Sequence, residues 1–341
     1  MKSAGLRPAL RPPSTSSVTR NARRLTLGLL VLALASAGGV SVLFAQDGRN
    51  DVRRFASSTN TIASIISALY TAHEDNFHPI GTTTISFQLQ LEGPIDAAFR
   101  PESRNQPRGW LNEIAAFRAA LLLDLDDVPP TVATVIDRQR LRRHIDPQFD
   151  GDIDELMAFL VFTPQGLRGS ASYWVPNLER TSDLDSVAGI LRWSAWLEAG
   201  AEIPSESRLL ARDLSNMALF DFLIANVDRM SGGNLRTVTN EGVRRVVIRD
   251  HNLAFSARPS DANMERVMTE LRRTQTFSRH TYERLVAMNR TTLAAAMVDE
   301  IGGNLIDDTQ LDAVLDRRAA LISYVSALVE MHGEDAIFVF P

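Results

Sequence analysis

The spacing of apolar residues changes along this chain, from a period of two in the first half to a helical period in the second. Apolar and polar residues alternate strictly over 85–92, which is typical of a half-buried strand. Gly93-Pro94 interrupts the alternation, and 95–100 continues as the second strand of a hairpin. Beyond about residue 180 the apolar residues recur mainly at helical spacing. We therefore predict an α+β fold in which a small β-rich part precedes a larger helical part.

The predicted elements follow from the same patterns and from the turn residues between them. A polar linker is expected over 46–60 and a short amphipathic helix over 61–73, and the linker and helix region together covers 46–80. Further strands are predicted over 131–136, 157–162 and 243–249, and helices over 110–125, 186–199, 205–227, 263–274, 280–301 and 309–331.

The first 45 residues differ in composition from the rest of the chain. Residues 1–24 contain six basic side chains and no acidic one, and 25–45 is an uncharged run of 21 residues. Because about 20 helical residues cross a bilayer core, this run predicts a transmembrane anchor behind a cytoplasmic tail. The Ala-Ser-Ala sequence at 35–37 leaves a cleaved signal peptide as the alternative. In both cases the body is expected to be exported to a periplasmic or extracellular location, and to be secreted if the segment is cleaved.

Composition excludes several classes of function. The chain has no cysteine, which excludes disulfides, thiolate metal sites and cysteine nucleophiles. Lys2 is the only lysine, so the body cannot use a lysine to bind phosphate or to form a Schiff base. Residues 46–341 contain 30 basic and 41 acidic side chains, a formal charge of −11. A nucleic-acid-binding face is not expected on such a body.

Two segments carry a pattern of carboxylates and amides suited to phosphoryl transfer. Asp228 lies just beyond the end of a predicted helix, and Asn234 follows six residues later. Asp250 directly follows a predicted strand, 22 residues after Asp228. Phosphoryl transfer needs one carboxylate to orient and deprotonate the acceptor hydroxyl. It also needs hard oxygen ligands for the divalent ion on the nucleotide phosphates. A single aspartate at a helix end is usually a cap or a solvated residue, and the pattern depends on both segments together.

These segments resemble the catalytic and metal-binding segments of an atypical kinase family of the secretory pathway, that of the Golgi casein kinase, glycosaminoglycan xylosylkinase and four-jointed. Other pieces of the chain resemble the same family in the same order, from about residue 82 to 256. They are Leu91-Glu92-Gly93, Phe99-Arg100-Pro101, Glu113-Ile114-Ala115-Ala116-Phe117, Val128-Pro129-Pro130 and Gly169-Ser170 with Tyr173-Trp174. The resemblance implies a two-lobed kinase-like fold, with a β-rich N-lobe over 81–164 and a helical C-lobe over 165–341. The absence of cysteine suggests a bacterial-style member without the family's disulfides.

The resemblance also implies roles for five residues. Asp228 is the expected catalytic base, Asp250 the expected metal ligand, and Asn234 a second metal ligand. Glu113 is expected to hold the cation that binds the nucleotide phosphates. That cation is lysine in the family and Arg100 here; it remains positively charged but is bulkier and planar. Arg100 is therefore expected to pair with Glu113 if it does the work of the lysine.

Two further expectations concern the loops of this site. Arg229 is expected to brace the catalytic loop, and Gly81 with the three threonines after it is the nearest match to a phosphate-binding loop. His251 is a neighbour of Asp250 whose contact with the site the sequence leaves open.

The resemblance implies a kinase that uses ATP or another nucleotide with Mg²⁺ or Mn²⁺ and phosphorylates a hydroxyl on a protein or glycan acceptor. A pseudokinase that acts as a nucleotide-binding or scaffolding module is the main alternative, because Arg100 and the weak glycine loop depart from the family pattern. An exported hydrolase with paired carboxylates is a third interpretation. ATP is scarce in a bacterial periplasm, so the source of the nucleotide is open if the body is located there.

Overall fold

The computed structural model describes residues 53–341 except 57, 73, 81–84, 150–152 and 231–232. Its helices are α1 (Ile62–Thr71), α2 (Gly109–Leu122), α3 (Arg138–His144), α4 (Ile153–Phe159), α5 (Ser182–Asp185), α6 (Val187–Trp196), α7 (Arg208–Ile224), α8 (Asp261–Arg272), α9 (Arg279–Ala287), α10 (Arg290–Ala296), α11 (Asp308–His332) and α12 (Glu334–Ile337). Its strands are β1 (Glu74–Ile80), β2 (Ser86–Leu91), β3 (Ala97–Pro101), β4 (Thr131–Ile136), β5 (Phe162–Thr163), β6 (Gly166–Tyr173), β7 (Glu179–Arg180), β8 (Arg236–Asn240), β9 (Val243–Val247), β10 (Val298–Asp299) and β11 (Gly303–Asn304).

An antiparallel sheet forms the N-terminal part, and helices dominate the C-terminal part, so the predicted α+β class is confirmed. The sheet has the order β1-β2-β3-β6-β4, with β5 paired to β6. The predicted hairpin is present as β2 and β3, in which Phe87 lies opposite Phe99. Phe87 and Leu89 are buried because alternate residues of a strand point to the same face.

The N-terminal sheet is larger than the sequence patterns predicted. Residues 74–80, placed in the linker, form the edge strand β1, in which Pro79 is tolerated at the edge of the sheet. Strand β6 lies beyond the expected lobe boundary between 164 and 165, yet it pairs with both β3 and β4 at the centre of the sheet. Its Gly169 lies so close to Phe99 that a Cβ atom there would overlap the ring. The small residues of β6 let the neighbouring strand and its phenylalanine lie this close. Because most of them are not apolar, the sequence of β6 shows no alternation from which a strand could be predicted.

Two other predicted elements differ in the structure. The strand predicted over 157–162 is wrong, because helix α4 ends at Phe159 and only Phe162 belongs to a strand. The buried residues of this segment, Met157 and Leu160, are three positions apart, and this spacing is helical rather than the spacing of two that a strand requires. The single helix predicted over 280–301 is broken into α9 and α10, since Asn289 caps the second helix through a reciprocal pair of hydrogen bonds with Thr292.

Helix α2 connects the two parts of the fold. Thirteen of its 14 residues are buried, because it packs against β3, β4 and β6 on one side and against α10 on another. The buried Arg118 of α2 donates to the carbonyl of Ala296 at 3.1 Å and forms an ion pair with Asp299. These contacts hold α2, and the residues that it carries, against the helical part.

No helix in the described part of the chain is both long and apolar enough to cross a membrane. The predicted tail over 1–24 and the predicted anchor or signal peptide over 25–45 lie outside the described residues.

Candidate active site

Arg100 forms the centre of the site and bridges two carboxylates from distant parts of the chain. Its Nε lies 3.3 Å from Oε1 of Glu113 on α2, which is the ion pair that the sequence predicted. Its Nη2 donates to Oδ1 of Asp250 at 2.9 Å. The side chain of Arg100 is 16% exposed, so both contacts are made largely away from bulk water.

Glu113 is buried and ionised. Burial by itself would raise its pKa, but hydrogen bonding from His251 and the positive charge of Arg100 outweigh burial and lower the pKa to about 2. The backbone N–H of His251 donates to Oε2 of Glu113 at 3.1 Å. Glu113 is therefore a carboxylate at neutral pH and can hold the guanidinium of Arg100 in position.

The segment that carries Asp250 adopts an unusual backbone conformation. Asp250 has a φ of 64°, in the left-handed region that is unfavourable for residues other than glycine. Contacts from α2 hold the following residues, because the Nδ2 of Asn112 donates to the carbonyls of Asn252 at 2.8 Å and Ala254 at 3.0 Å. Such strain persists where surrounding contacts enforce it, and it is concentrated at functional sites.

Arg229 braces the loop that carries Asp228, as the resemblance implied. It forms two hydrogen bonds with Asp221, at 2.8 Å from Nε and 3.0 Å from Nη2, close to the end of α7. Its Nη1 donates to the carbonyl of Asn234 at 3.3 Å and also to the carbonyl of Arg249. One buried guanidinium thus connects the end of a helix, the loop after it and the strand end that precedes Asp250.

Asp228 lies in this loop, and Asn234 holds it. The Nδ2 of Asn234 donates to Oδ2 of Asp228 at 3.2 Å and to the backbone carbonyl of Asp228 at 3.1 Å. Burial, followed by the negative charge of Asp250, raises the pKa of Asp228 above its ordinary value. A carboxylate with a raised pKa accepts a proton more readily, which suits a general base.

The five residues predicted from the sequence therefore form two groups. Arg100, Glu113 and Asp250 share ion pairs, and Asp228 and Asn234 share a hydrogen bond. The charge of Asp250 links the groups through its effect on Asp228. The Gly81 loop lies outside the described residues.

The structure gives contacts to three supporting residues whose roles the sequence analysis did not assign: Asn112, Asp221 and His251. His251 is 2% exposed and packs edge-on against Phe220, with ring centroids 5.8 Å apart. Asn112 and Asp221 hold the segments that carry Asp250 and Asp228 through the contacts described above. The only signal for His251 and Asn112 in the sequence is that each adjoins a residue of the motif.

The donor atoms of the site suit a hard divalent cation. No group of three or more histidine, aspartate or glutamate side chains suited to a metal occurs among the residues that the structure describes. Mg²⁺ bound with a nucleotide needs only one or two carboxylates, because phosphate and water oxygens complete its coordination. The carboxylate of Asp250 and the amide of Asn234 are oxygen donors of this kind, and they fit such an ion.

Comparison with solved structures identifies the fold. A structure of the Golgi casein kinase with Mn and ADP bound aligns with a TM-score of 0.59 at 17% identity, over 82% of this chain and 79% of the other. This chain has a Fam20-like kinase fold. A second structure of the Golgi casein kinase gives a TM-score of 0.60 at 16% identity, over 82% of this chain and 79% of the other. Hydra Fam20 with sugar gives 0.61 at 16% identity, over 84% of this chain and 96% of the other.

No protein-family model matches the sequence, and no curated protein matches it. At 16–17% identity, the similarity to the Fam20 structures is one of fold. The sequence resemblance to this family is confirmed at that level.

Proposed function

We propose that this protein is a kinase that transfers a phosphoryl group from ATP, or another nucleotide, to a hydroxyl on a protein or glycan acceptor. The observation that carries the proposal is the convergence of Asp228 and Asp250 with the Arg100–Glu113 ion pair in one site of a Fam20-like fold. The Golgi casein kinase structure with Mn and ADP supports a nucleotide and a divalent metal as cofactors.

Each residue has a physical role in this reaction. Arg100 supplies a permanent positive charge to the nucleotide phosphates, and Glu113 orients it. Asp228 accepts the proton of the acceptor hydroxyl, and Asn234 holds the carboxylate of Asp228 in place. Asp250 and Asn234 would hold Mg²⁺ or Mn²⁺, which neutralises charge on the phosphate oxygens when bound.

A pseudokinase is the second candidate, and one contact favours it. The hydrogen bond of 2.9 Å between Arg100 and Asp250 places a cation on the carboxylate that would bind the metal. A protein that keeps this contact could bind a nucleotide without transferring its phosphoryl group. Nucleotide affinity and turnover must therefore be measured separately.

Truncating Arg100 to alanine is expected to weaken nucleotide binding by about tenfold to a hundredfold. The substitution removes a charge-assisted phosphate contact, worth roughly 1.5–3 kcal/mol, and leaves Glu113 without its cation. Isothermal titration of an ATP analogue with Mn²⁺ measures the change, and Arg104→Ala, at an exposed arginine four residues later, is the control. Equal affinities for the two variants would show that Arg100 does not bind phosphate.

The Arg100→Lys variant separates a kinase from a pseudokinase. Lysine restores the family residue and removes the planar fork that contacts both Glu113 and Asp250. Turnover in the wild type that is lost in Asp228→Asn supports a kinase. Nucleotide binding without turnover in the wild type, with turnover gained in Arg100→Lys, supports a pseudokinase.

Replacing Asp250 with alanine is expected to abolish the part of nucleotide stabilisation that depends on metal. In the wild type, an ATP analogue plus Mn²⁺ should raise the melting temperature more than the analogue alone does. In Asp250→Ala, the analogue plus Mn²⁺ should raise it by no more than the analogue alone. Metal alone and analogue alone are the controls. An unchanged metal-dependent increment would refute Asp250 as a ligand.

We also propose that the body is exported behind the segment over 25–45, which anchors it or is cleaved as a signal peptide. The basic residues of 1–24 and the uncharged run that follows them support this proposal. Cell fractionation combined with protease accessibility tests it. A body that fractionates with the cytosol and is protected from external protease would contradict it.

A further inference from the structure

Three arginines lie together beside the catalytic loop, outside the groups described above. Arg180 of β7 lies directly opposite Arg236 of β8 in the three-stranded sheet, so their side chains share a face. Arg249 comes two residues after Val247, the β9 residue that pairs with Arg236, so it lies at the same end of this sheet. The positive charges of Arg249 and Arg180 both act on Arg236. This group is called here the arginine triad.

The triad adjoins the loop that carries the candidate catalytic base. A Cβ atom on Gly233 would lie 3.5 Å from Nη2 of Arg236, so this guanidinium rests against the loop next to Asn234. Arg236 and Arg249 are half-buried, and Arg180 is exposed. The triad is therefore open to solvent at one end and bounded by the catalytic loop at the other.

The triad has no acidic partner among the residues that the structure describes. None of its three side chains forms an ion pair or a hydrogen bond there, whereas Arg244 on the neighbouring strand binds Asp183 at 2.6 and 2.9 Å. Asp185 attracts Arg236 electrostatically without pairing with it. A like-charged group of this kind is unfavourable for the fold unless an anion neutralises it.

We propose that Arg180, Arg236 and Arg249 form a binding site for a phosphate-type oxyanion beside the catalytic loop. Guanidinium groups bind phosphate through pairs of parallel N–H···O hydrogen bonds, and several of them can share one anion. The phosphate is either a free anion or a phosphate group carried by the nucleotide. The site does not depend on phosphoryl transfer, so it stands or falls separately from the proposed function.

Inorganic phosphate is the probe that tests the site. The melting temperature of the full chain is measured against phosphate concentration without nucleotide, with sodium chloride keeping the ionic strength constant. The wild type should show a saturable rise. Arg236→Gln and Arg249→Gln should each raise the half-saturating concentration by about tenfold, the loss of one charge-assisted contact.

Arg244→Gln is the matched control, since it removes an arginine from the same hairpin that already has a partner. Its half-saturating concentration should equal that of the wild type. Without phosphate, Arg236→Gln should be at least as stable as the wild type, because it relieves repulsion within the triad. No saturable rise in the wild type, or equal half-saturation in all three variants, would overturn the proposal.

A second titration distinguishes the two sources of phosphate. The measurement is repeated with saturating ADP and Mn²⁺ in the wild type, and Arg244→Gln is again the control. If phosphate no longer raises the melting temperature once ADP is bound, the triad binds the nucleotide phosphates. If the rises caused by phosphate and by ADP add together, the triad binds a separate anion. A phosphate response in a protein that neither binds nucleotide nor transfers phosphate would support the triad while refuting the proposed kinase.

Discussion

Replacing Asp228 with asparagine is expected to lower phosphoryl transfer by about two to four orders of magnitude, while nucleotide binding persists. The amide cannot accept the proton of the acceptor hydroxyl, but it keeps the shape of the side chain and an oxygen for the hydrogen bond from Asn234. Turnover is measured as transfer of labelled phosphate, or as nucleotide hydrolysis if the acceptor is unknown. Nucleotide affinity is measured in parallel by titration with an ATP analogue.

The same substitution should not destabilise the fold at neutral pH. Burial and the charge of Asp250 raise the pKa of Asp228, so its carboxylate form is less favourable in the folded chain than in the unfolded chain. This cost is present above the folded pKa and disappears as the pH falls below the ordinary value of 3.8. The melting temperature of Asp228→Asn should therefore equal or exceed that of the wild type at pH 7, and the difference should vanish near about pH 3.

Asp154→Asn is the control, because the side chain of Asp154 is 81% exposed and lies on α4. It should change neither turnover nor stability by a measurable amount. Undiminished turnover in Asp228→Asn would show that another group is the base. A lower melting temperature at pH 7 would contradict the unfavourable burial of the Asp228 carboxylate.

Replacing Asp221 with alanine should lower the free energy of unfolding by about 3–5 kcal/mol. The side chains of Asp221 and Arg229 are 7% and 4% exposed, and the substitution leaves the guanidinium buried without its carboxylate. Urea denaturation measures the loss. The double variant Asp221→Ala/Arg229→Met should lose less than Asp221→Ala alone, because no buried charge is left without a partner.

Glu265→Ala provides the matched comparison on the surface. Glu265 pairs with Arg272 at 2.7 Å, but the two side chains are 61% and 55% exposed. Water screens such a pair, so its loss should cost at most about 1 kcal/mol. If Asp221→Ala cost no more than Glu265→Ala, Arg229 would not depend on Asp221 and the bracing of the catalytic loop would need another explanation.

Local patterns in the sequence predicted the elements that bury one regular face. The alternation over 85–92 predicted β2 because apolar residues two apart lie on one face of a strand. Helix α7 was predicted over 205–227 and is observed over Arg208–Ile224, because apolar residues three or four apart lie on one face of a helix. The resemblance to a kinase family added the five site residues, and the predicted ion pair between Arg100 and Glu113 is present.

Elements without a regular apolar face could not be predicted in this way. Strand β1 buries Phe77 fully and contains a proline, so its residues resemble a polar linker. Strand β6 is rich in glycine and serine, and it is extended because it pairs with β3 on one side and β4 on the other. Both strands depend on partners that are distant along the chain, and local periodicity contains no information on such partners.

The sequence by itself determined the β2–β3 hairpin, the change from strands to helices and the residue types available for chemistry. It excluded lysine and cysteine from the body, and the resemblance of Phe99-Arg100-Pro101 to the family's strand implied Arg100 as the phosphate-binding cation. Only the tertiary structure decided that Arg100 contacts Asp250 in addition to Glu113. It also decided that Arg180, Arg236 and Arg249 lie together beside the loop that carries Asp228. The physical reason is that apolar patterning reflects residues that are close along the chain. Charges such as those of Arg100 and Asp250 interact because packing brings them within a few ångströms, although they are far apart in the sequence.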